Sequence, residues 1–168
     1  MKARPLALAA VFTALTAILA QVTLPIGPVP VNSAHVSLFT ASALLGPKIS
    51  FLSTFAYILL GAIGLPVFSG FNGGLGALFG PTGGFIFGYL VCSLLGAQLI
   101  KTTKKLALPM VLALVANYLL GIPWLMFVTG MGLSNAILIG VLPFLLGDAF
   151  KIFISVILVR KLRKLIVS

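Results

Sequence analysis

Asp148 is the only carboxylate side chain in the 168-residue chain, and it stands three positions before Lys151 inside an apolar run long enough to cross a bilayer. A charge held at that depth costs at least a few kcal/mol, so an acid and a base kept together there mark a functional site. Spaced i and i+3, the two side chains share one helix face. At 1.5 Å per residue Asp148 lies roughly 18 Å from Arg160, which marks the inner boundary of the span. In a core about 30 Å thick this sets the carboxylate in the outer half. The competing reading is that Asp148 caps a helix after Gly147 and Lys151 neutralises it, although Ser or Asn would cap at lower cost.

The chemistry open to such a pair is binding, because the partners that catalysis needs are missing. No nucleophile with an activated base is visible. No Gly-rich turn ends in Gly-Lys-Ser or Gly-Lys-Thr, so the chain does not hydrolyse ATP itself. The run Gly73-Gly74-Leu75-Gly76-Ala77-Leu78-Phe79-Gly80 lacks the spacing, the preceding strand and the downstream acid of a dinucleotide loop. Cys92 is the single cysteine and His35 the single histidine, which leaves no disulfide, no cysteine-based metal cage and no cofactor. Proton-driven transport draws on chains of intramembrane acids and histidines, and one neutralised acid supplies that poorly.

The elements that must position the pair follow from composition. Hydrophobic residues make up 61% of the chain and charged ones 7%, with mean hydropathy +1.27, values that no water-facing surface sustains. The fold class is an all-α membrane protein, a single integral domain over 1–168. Six transmembrane helices are expected at 5–23, 32–47, 49–64, 83–101, 106–128 and 143–162, with structured outward loops between them. Pro143 suits the start of the last. The net charge of +10 has a simpler origin than nucleic acid. Lys2, Arg4, Lys48, Lys101, Lys104, Lys105, Arg160, Lys161, Arg163 and Lys164 fall on alternate connections, and the segments near 24–31, 65–82 and 129–142 carry no basic residue. The positive-inside rule sets both termini in the cytoplasm of a multi-pass plasma-membrane protein. The first apolar stretch is read as a retained span, since Ala17-Ile18-Leu19-Ala20 is no small-x-small cleavage site.

Nine of the 18 glycines lie between Gly61 and Gly84, in one outward connection. Non-helical backbone at membrane depth is tolerated where it lines a cavity, so this insert is expected to cap a pocket. Phe68, Phe71, Leu75, Leu78 and Phe79 are too apolar for a disordered loop in water. Pro25, Pro28 and Pro30 stiffen the first outward loop. His35 is expected to hydrogen-bond backbone at the outer end of the second span. Ala9, Ala10, Thr13, Ala14 and Ala17 form a small-residue stripe that packs either on a partner or within the bundle.

The string Gly61-Ala62-Ile63-Gly64-Leu65-Pro66-Val67-Phe68, then Gly73-Gly74-Leu75-Gly76 and Gly80-Pro81-Thr82-Gly83-Gly84-Phe85, resembles the BioY family, the biotin-binding S components of energy-coupling-factor (ECF) transporters. Pro25-Ile26-Gly27-Pro28-Val29-Pro30, Leu44-Leu45-Gly46-Pro47-Lys48 and Pro143-Phe144-Leu145-Leu146-Gly147-Asp148-Ala149-Phe150-Lys151 extend the resemblance along almost the whole chain. It implies an ECF S-component-like protein that binds biotin at its outward side. The partners implied are a transmembrane T component, two cytoplasmic ATPase subunits and the lipid membrane. It further implies that Asp148, Lys151 and Asn72 hold the ligand. Biotin's ureido ring offers two N–H donors beside a carbonyl, which a carboxylate and an ammonium match. Asn72 also suits a simple turn. Tyr118 and Trp124 are candidates for the apolar wall, although a Trp at a helix end, as Trp124 is, is more often an interfacial anchor. After Pro30 the family continues with threonine and glutamine, whereas this chain reads Val31-Asn32-Ser33-Ala34-His35, and no outer arginine meets the ligand carboxylate. An S component for another small vitamin, a stand-alone biotin facilitator and a ligand-free assembly subunit are the alternative readings.

Overall fold

The computed structural model describes residues 3–24 and 29–167; Pro25 and Pro28 lie outside the described residues. Helix α1 (Ala3–Gln21) leads into the two-residue strands β1 (Thr23–Leu24) and β2 (Val31–Asn32), paired antiparallel with Thr23 opposite Asn32. There follow α2 (Ala34–Ala62), the short α3 (Leu75–Phe79), α4 (Gly83–Thr103), α5 (Ala107–Thr129) and α6 (Leu133–Gly140). A 3-10 turn at Leu142–Phe144, holding Pro143, opens into α7 (Leu145–Val167).

Helix α2 is a hairpin. Gly46 has φ 75° and ψ 173°, a conformation that glycine tolerates and that the following Pro47 enforces by excluding helical geometry from the residue before it. The Ser42 and Ser50 hydroxyls lie 3.2 Å apart, whereas eight residues of straight helix would separate them by about 12 Å. The arms, 34–45 and 47–62, therefore run antiparallel, and His35 and Tyr57, equidistant from Gly46, both pack on Tyr89 of α4. Among the described residues, five helices are long and apolar enough to span a bilayer. With α2 folded in two, the bundle has the six crossings expected.

The bundle keeps its buried polar groups paired inside an otherwise apolar core and turns apolar side chains outward, as lipid requires. Thr16 Oγ1 donates to Ser37 Oγ at 2.9 Å, Thr13 Oγ1 to Ser53 O at 3.0 Å and Ser42 Oγ to Ser93 O at 3.0 Å, tying α1 to both arms of α2 and α2 to α4. Small hydroxyl side chains let backbones approach closely and satisfy their own polar groups across the interface. Phe127, Leu146, Phe150 and Phe153 face outward instead. Of the small-residue stripe on α1, Ala9 and Thr13 are buried in the bundle, while Ala10 and Ala14 are exposed.

One expected connection contains more structure than its sequence suggested. The segment 129–142, read as a loop, carries α6, whose Ala136 and Gly140 pack on α5; a Cβ on Gly140 would stand 2.8 Å from Ile122 Cδ1. Eight residues are too few to be separated by periodicity from the long apolar run that continues into α7.

Candidate functional site

Asp148 lies in the first turn of α7, where the positive end of the helix dipole favours a carboxylate. It is no helix cap, because α7 starts at Leu145. Lys151 Nζ donates to Asp148 Oδ1 at 2.8 Å, and the Tyr118 hydroxyl of α5 donates to Oδ2. Both members of the pair are buried, Asp148 at 3% and Lys151 at 7% exposure. Burial of an ion pair costs more than a hydrophobic substitute would, so the pair is not explained by stability.

What it faces is a cavity of about 450 Å³, within the range of small-molecule sites. Its walls come from most of the fold beyond α1: the first outward loop, both arms of α2, the Gly-rich insert, α4, α5, and the α6–α7 corner. Phe68, Phe85, Ile86 and Phe144 supply buried apolar surface. Tyr118 lines the cavity, but its hydroxyl is engaged with Asp148, so it is a polar partner as well as a wall. Trp124 is not among the lining residues. Its Nε1 donates to Gly80 O at 2.9 Å and its ring packs against Phe79 and Phe87, so it fastens the insert to α5.

The insert forms the roof, as its glycines and apolar residues predict. Phe68 and Asn72 exchange backbone hydrogen bonds at 2.9 and 3.2 Å, closing a small loop with Gly70 and Phe71 at positive φ. The Phe68 ring occupies the space a Cβ on Gly61 would need, 2.0 Å from its Cζ, and meets Tyr57 edge-on. Only some of the apolar roof residues point inward: Phe68 and Leu78 are buried, while Phe71, Leu75 and Phe79 are exposed at the outer rim. At a membrane interface such side chains find apolar surroundings outside the protein. Asn72 borders the cavity and also makes the local turn, its Nδ2 donating to Ser69 O at 2.8 Å.

Gln21, the last residue of α1, grips this roof. Its Nε2 donates to Phe68 O at 3.1 Å and its Oε1 accepts from Phe71 N at 2.8 Å. Phe71 has φ 57°, a left-handed conformation that costs a bulky residue about 1–3 kcal/mol and persists only where neighbours hold it. Gln21→Ala is expected to raise amide hydrogen exchange in 66–74 about tenfold while leaving α4 and α5 protected, measured in detergent by mass spectrometry.

Sequence reasoning missed several polar groups at the cavity. Asn32 Nδ2 donates to Ser69 Oγ at 2.7 Å and to the Tyr89 hydroxyl at 3.1 Å, joining the first outward loop to the roof and to α4. His35, expected to serve backbone, instead lines the cavity and pairs with the Asn117 side chain, Nδ2 to Nε2 at 3.2 Å. It borders the same cavity as Asp148 and Lys151. A lone histidine without a neighbouring acid gave no local signal. Its partner is 82 positions away.

Three comparisons bear on this geometry. The model of the BioY family matches residues 1–168. A probable biotin transporter BioY of Pyrococcus horikoshii is 37% identical over 163 residues, covering 97% of this chain and 98% of that protein. The biotin transporter BioY of Thermotoga maritima is 35% identical over 165 residues, covering 96% and 97% respectively. A crystal structure described as the S component for biotin from an ECF-type ABC transporter matches with a TM-score of 0.90 at 33% identity, over 97% of this chain and 92% of that one. By sequence along its whole length and by the arrangement of its helices, the chain belongs to the BioY family.

Proposed function

We propose that the protein is the biotin-capturing membrane subunit of an ECF-type transporter, a binding and transport component rather than an enzyme. The observation that carries this reading is the buried Asp148–Lys151 pair on the wall of a roofed cavity of about 450 Å³. A carboxylate has about four lone-pair sites, so with Lys151 and Tyr118 each taking one, Asp148 still accepts from the ureido N–H groups. Lys151 has donors left for the ureido oxygen. Asn72 stands at the roof to contact the ring system, and the apolar cavity wall suits the thioether ring and aliphatic tail.

Energy comes from partners, a transmembrane T component and two cytoplasmic ATPase subunits. The exposed Ala10 and Ala14 on α1 offer the T component a close-packing face. Basic residues on alternate connections support cytoplasmic termini and an outward-facing roof.

The detergent-purified protein is expected to bind biotin without nucleotide, in a titration that unlabelled biotin competes and other vitamins do not. Displacement by a different vitamin would move the reading to another substrate. Biotin uptake in a host lacking every T component and its ATPases would show a facilitator instead.

A further inference from the structure

The binding scheme above leaves His35 and Asn117 without a task. Asn117 is 1% exposed, and among the described residues its Oδ1 is the one buried side-chain N or O atom without a hydrogen-bond partner. That oxygen lies against Gly88 of α4, where a Cβ would stand 2.0 Å away. The orientation of the amide follows from this neighbour. A carbonyl against a glycine Cα receives a weak C–H contact, whereas an amino group there would leave buried N–H donors unmet, the rarer defect in folded proteins. With Oδ1 at Gly88, Nδ2 is the atom that meets His35 and must donate, so His35 Nε2 is bare and Nδ1 carries the proton.

Among the described residues Nδ1 has no protein partner, yet it is not sealed off, and the space beside this ring is the cavity. Phe39 and Tyr89 flank the ring at 5.6 and 5.0 Å and limit its rotation. We infer that His35 is a ligand-binding residue whose Nδ1–H donates to the ureido oxygen of biotin alongside Lys151, with Asn117 as the positioning residue that fixes this tautomer. The inference rests on the biotin reading above. A carbonyl oxygen has two lone pairs, so it takes both donors at once.

The chain contains one histidine, so protein labelled with 15N-histidine gives a single pair of ring-nitrogen signals. Without ligand, the protonated signal is expected on Nδ1 and the bare one on Nε2. At saturating biotin the Nδ1–H signal should shift while Nε2 stays bare. An unprotonated Nδ1, or a signal unmoved at saturation, would overturn the inference and leave the biotin reading intact. Failure of the wild-type protein to bind biotin would overturn the biotin reading instead. His35→Phe should weaken biotin about tenfold, the scale of one neutral hydrogen bond, and wild-type affinity would count against the proposal. Asn117→Leu should give a mixture of tautomers and a smaller loss; an unchanged single tautomer would remove Asn117 from its positioning role. Should a variant fail to fold, the wild-type spectra decide alone.

Discussion

Asp148→Asn and Lys151→Ala are each expected to weaken biotin binding by at least a hundredfold in equilibrium titration. The loss has two sources. On the proposed binding scheme, each variant removes a charge-assisted hydrogen bond to the ureido ring, worth about 1.5–3 kcal/mol. Each also strands the opposite charge in a buried site, since Asp148 and Lys151 have 2.8 Å between their bonded atoms and little exposure. An uncompensated buried charge costs about 3–5 kcal/mol, so thermal unfolding should fall in both single variants. The double variant Asp148→Asn/Lys151→Met separates binding from folding. With no charge left to bury, it should regain stability toward the wild-type value and still bind no biotin. Retained binding in the double variant would defeat the assignment of the pair.

Gly84→Val is expected to lower thermal stability by about 3 kcal/mol, near 10 °C in Tm for a chain of this size. A Cβ at this position would stand 2.3 Å from Trp124 Cβ and 2.9 Å from the Leu120 carbonyl, so α4 and α5 have to separate. The consequence reaches the site, because α5 carries Asn117, Tyr118 and the Trp124 bond to Gly80 that fastens the roof. Gly147→Ala is the control. Its Cβ would meet only Val31 Cγ1 at 3.9 Å, and inside α7 alanine is the better helix former, so stability is expected to hold or rise. Equal losses in the two variants would show that helix spacing at Gly84 is not the cause.

Much of the fold was legible because the bilayer simplifies the problem. Each span must be apolar along its length, and the basic residues sort the connections into two sides, so six crossings follow from composition and charge. The break between the second and third spans, expected between 47 and 49, falls at Gly46, where the following proline disfavours helical geometry. What failed was local. Helix α6 was lost in a continuous apolar run, and of the two wall candidates on α5 only Tyr118 lines the cavity, because one helical turn decides whether a ring faces the cavity or the roof's outer hinge.

The site divides in the same way. Asp148 and Lys151 were identifiable from sequence because a charged pair in a membrane span has few purposes, and their spacing of three fixes a shared face. The glycine-rich roof was identifiable because such backbone has to be buried or to line a cavity. The remaining polar groups become a site only when distant segments meet: Asn32 with Ser69 and Tyr89, Tyr118 with Asp148, and His35 with Asn117. Hydropathy and charge are properties of a residue in its own span, and the sequence by itself determined what depends on them, namely the membrane location, the order of crossings and the charged pair. Which side chains share a cavity depends on helix rotation and close approach at glycines such as Gly88, and that only the tertiary structure decided.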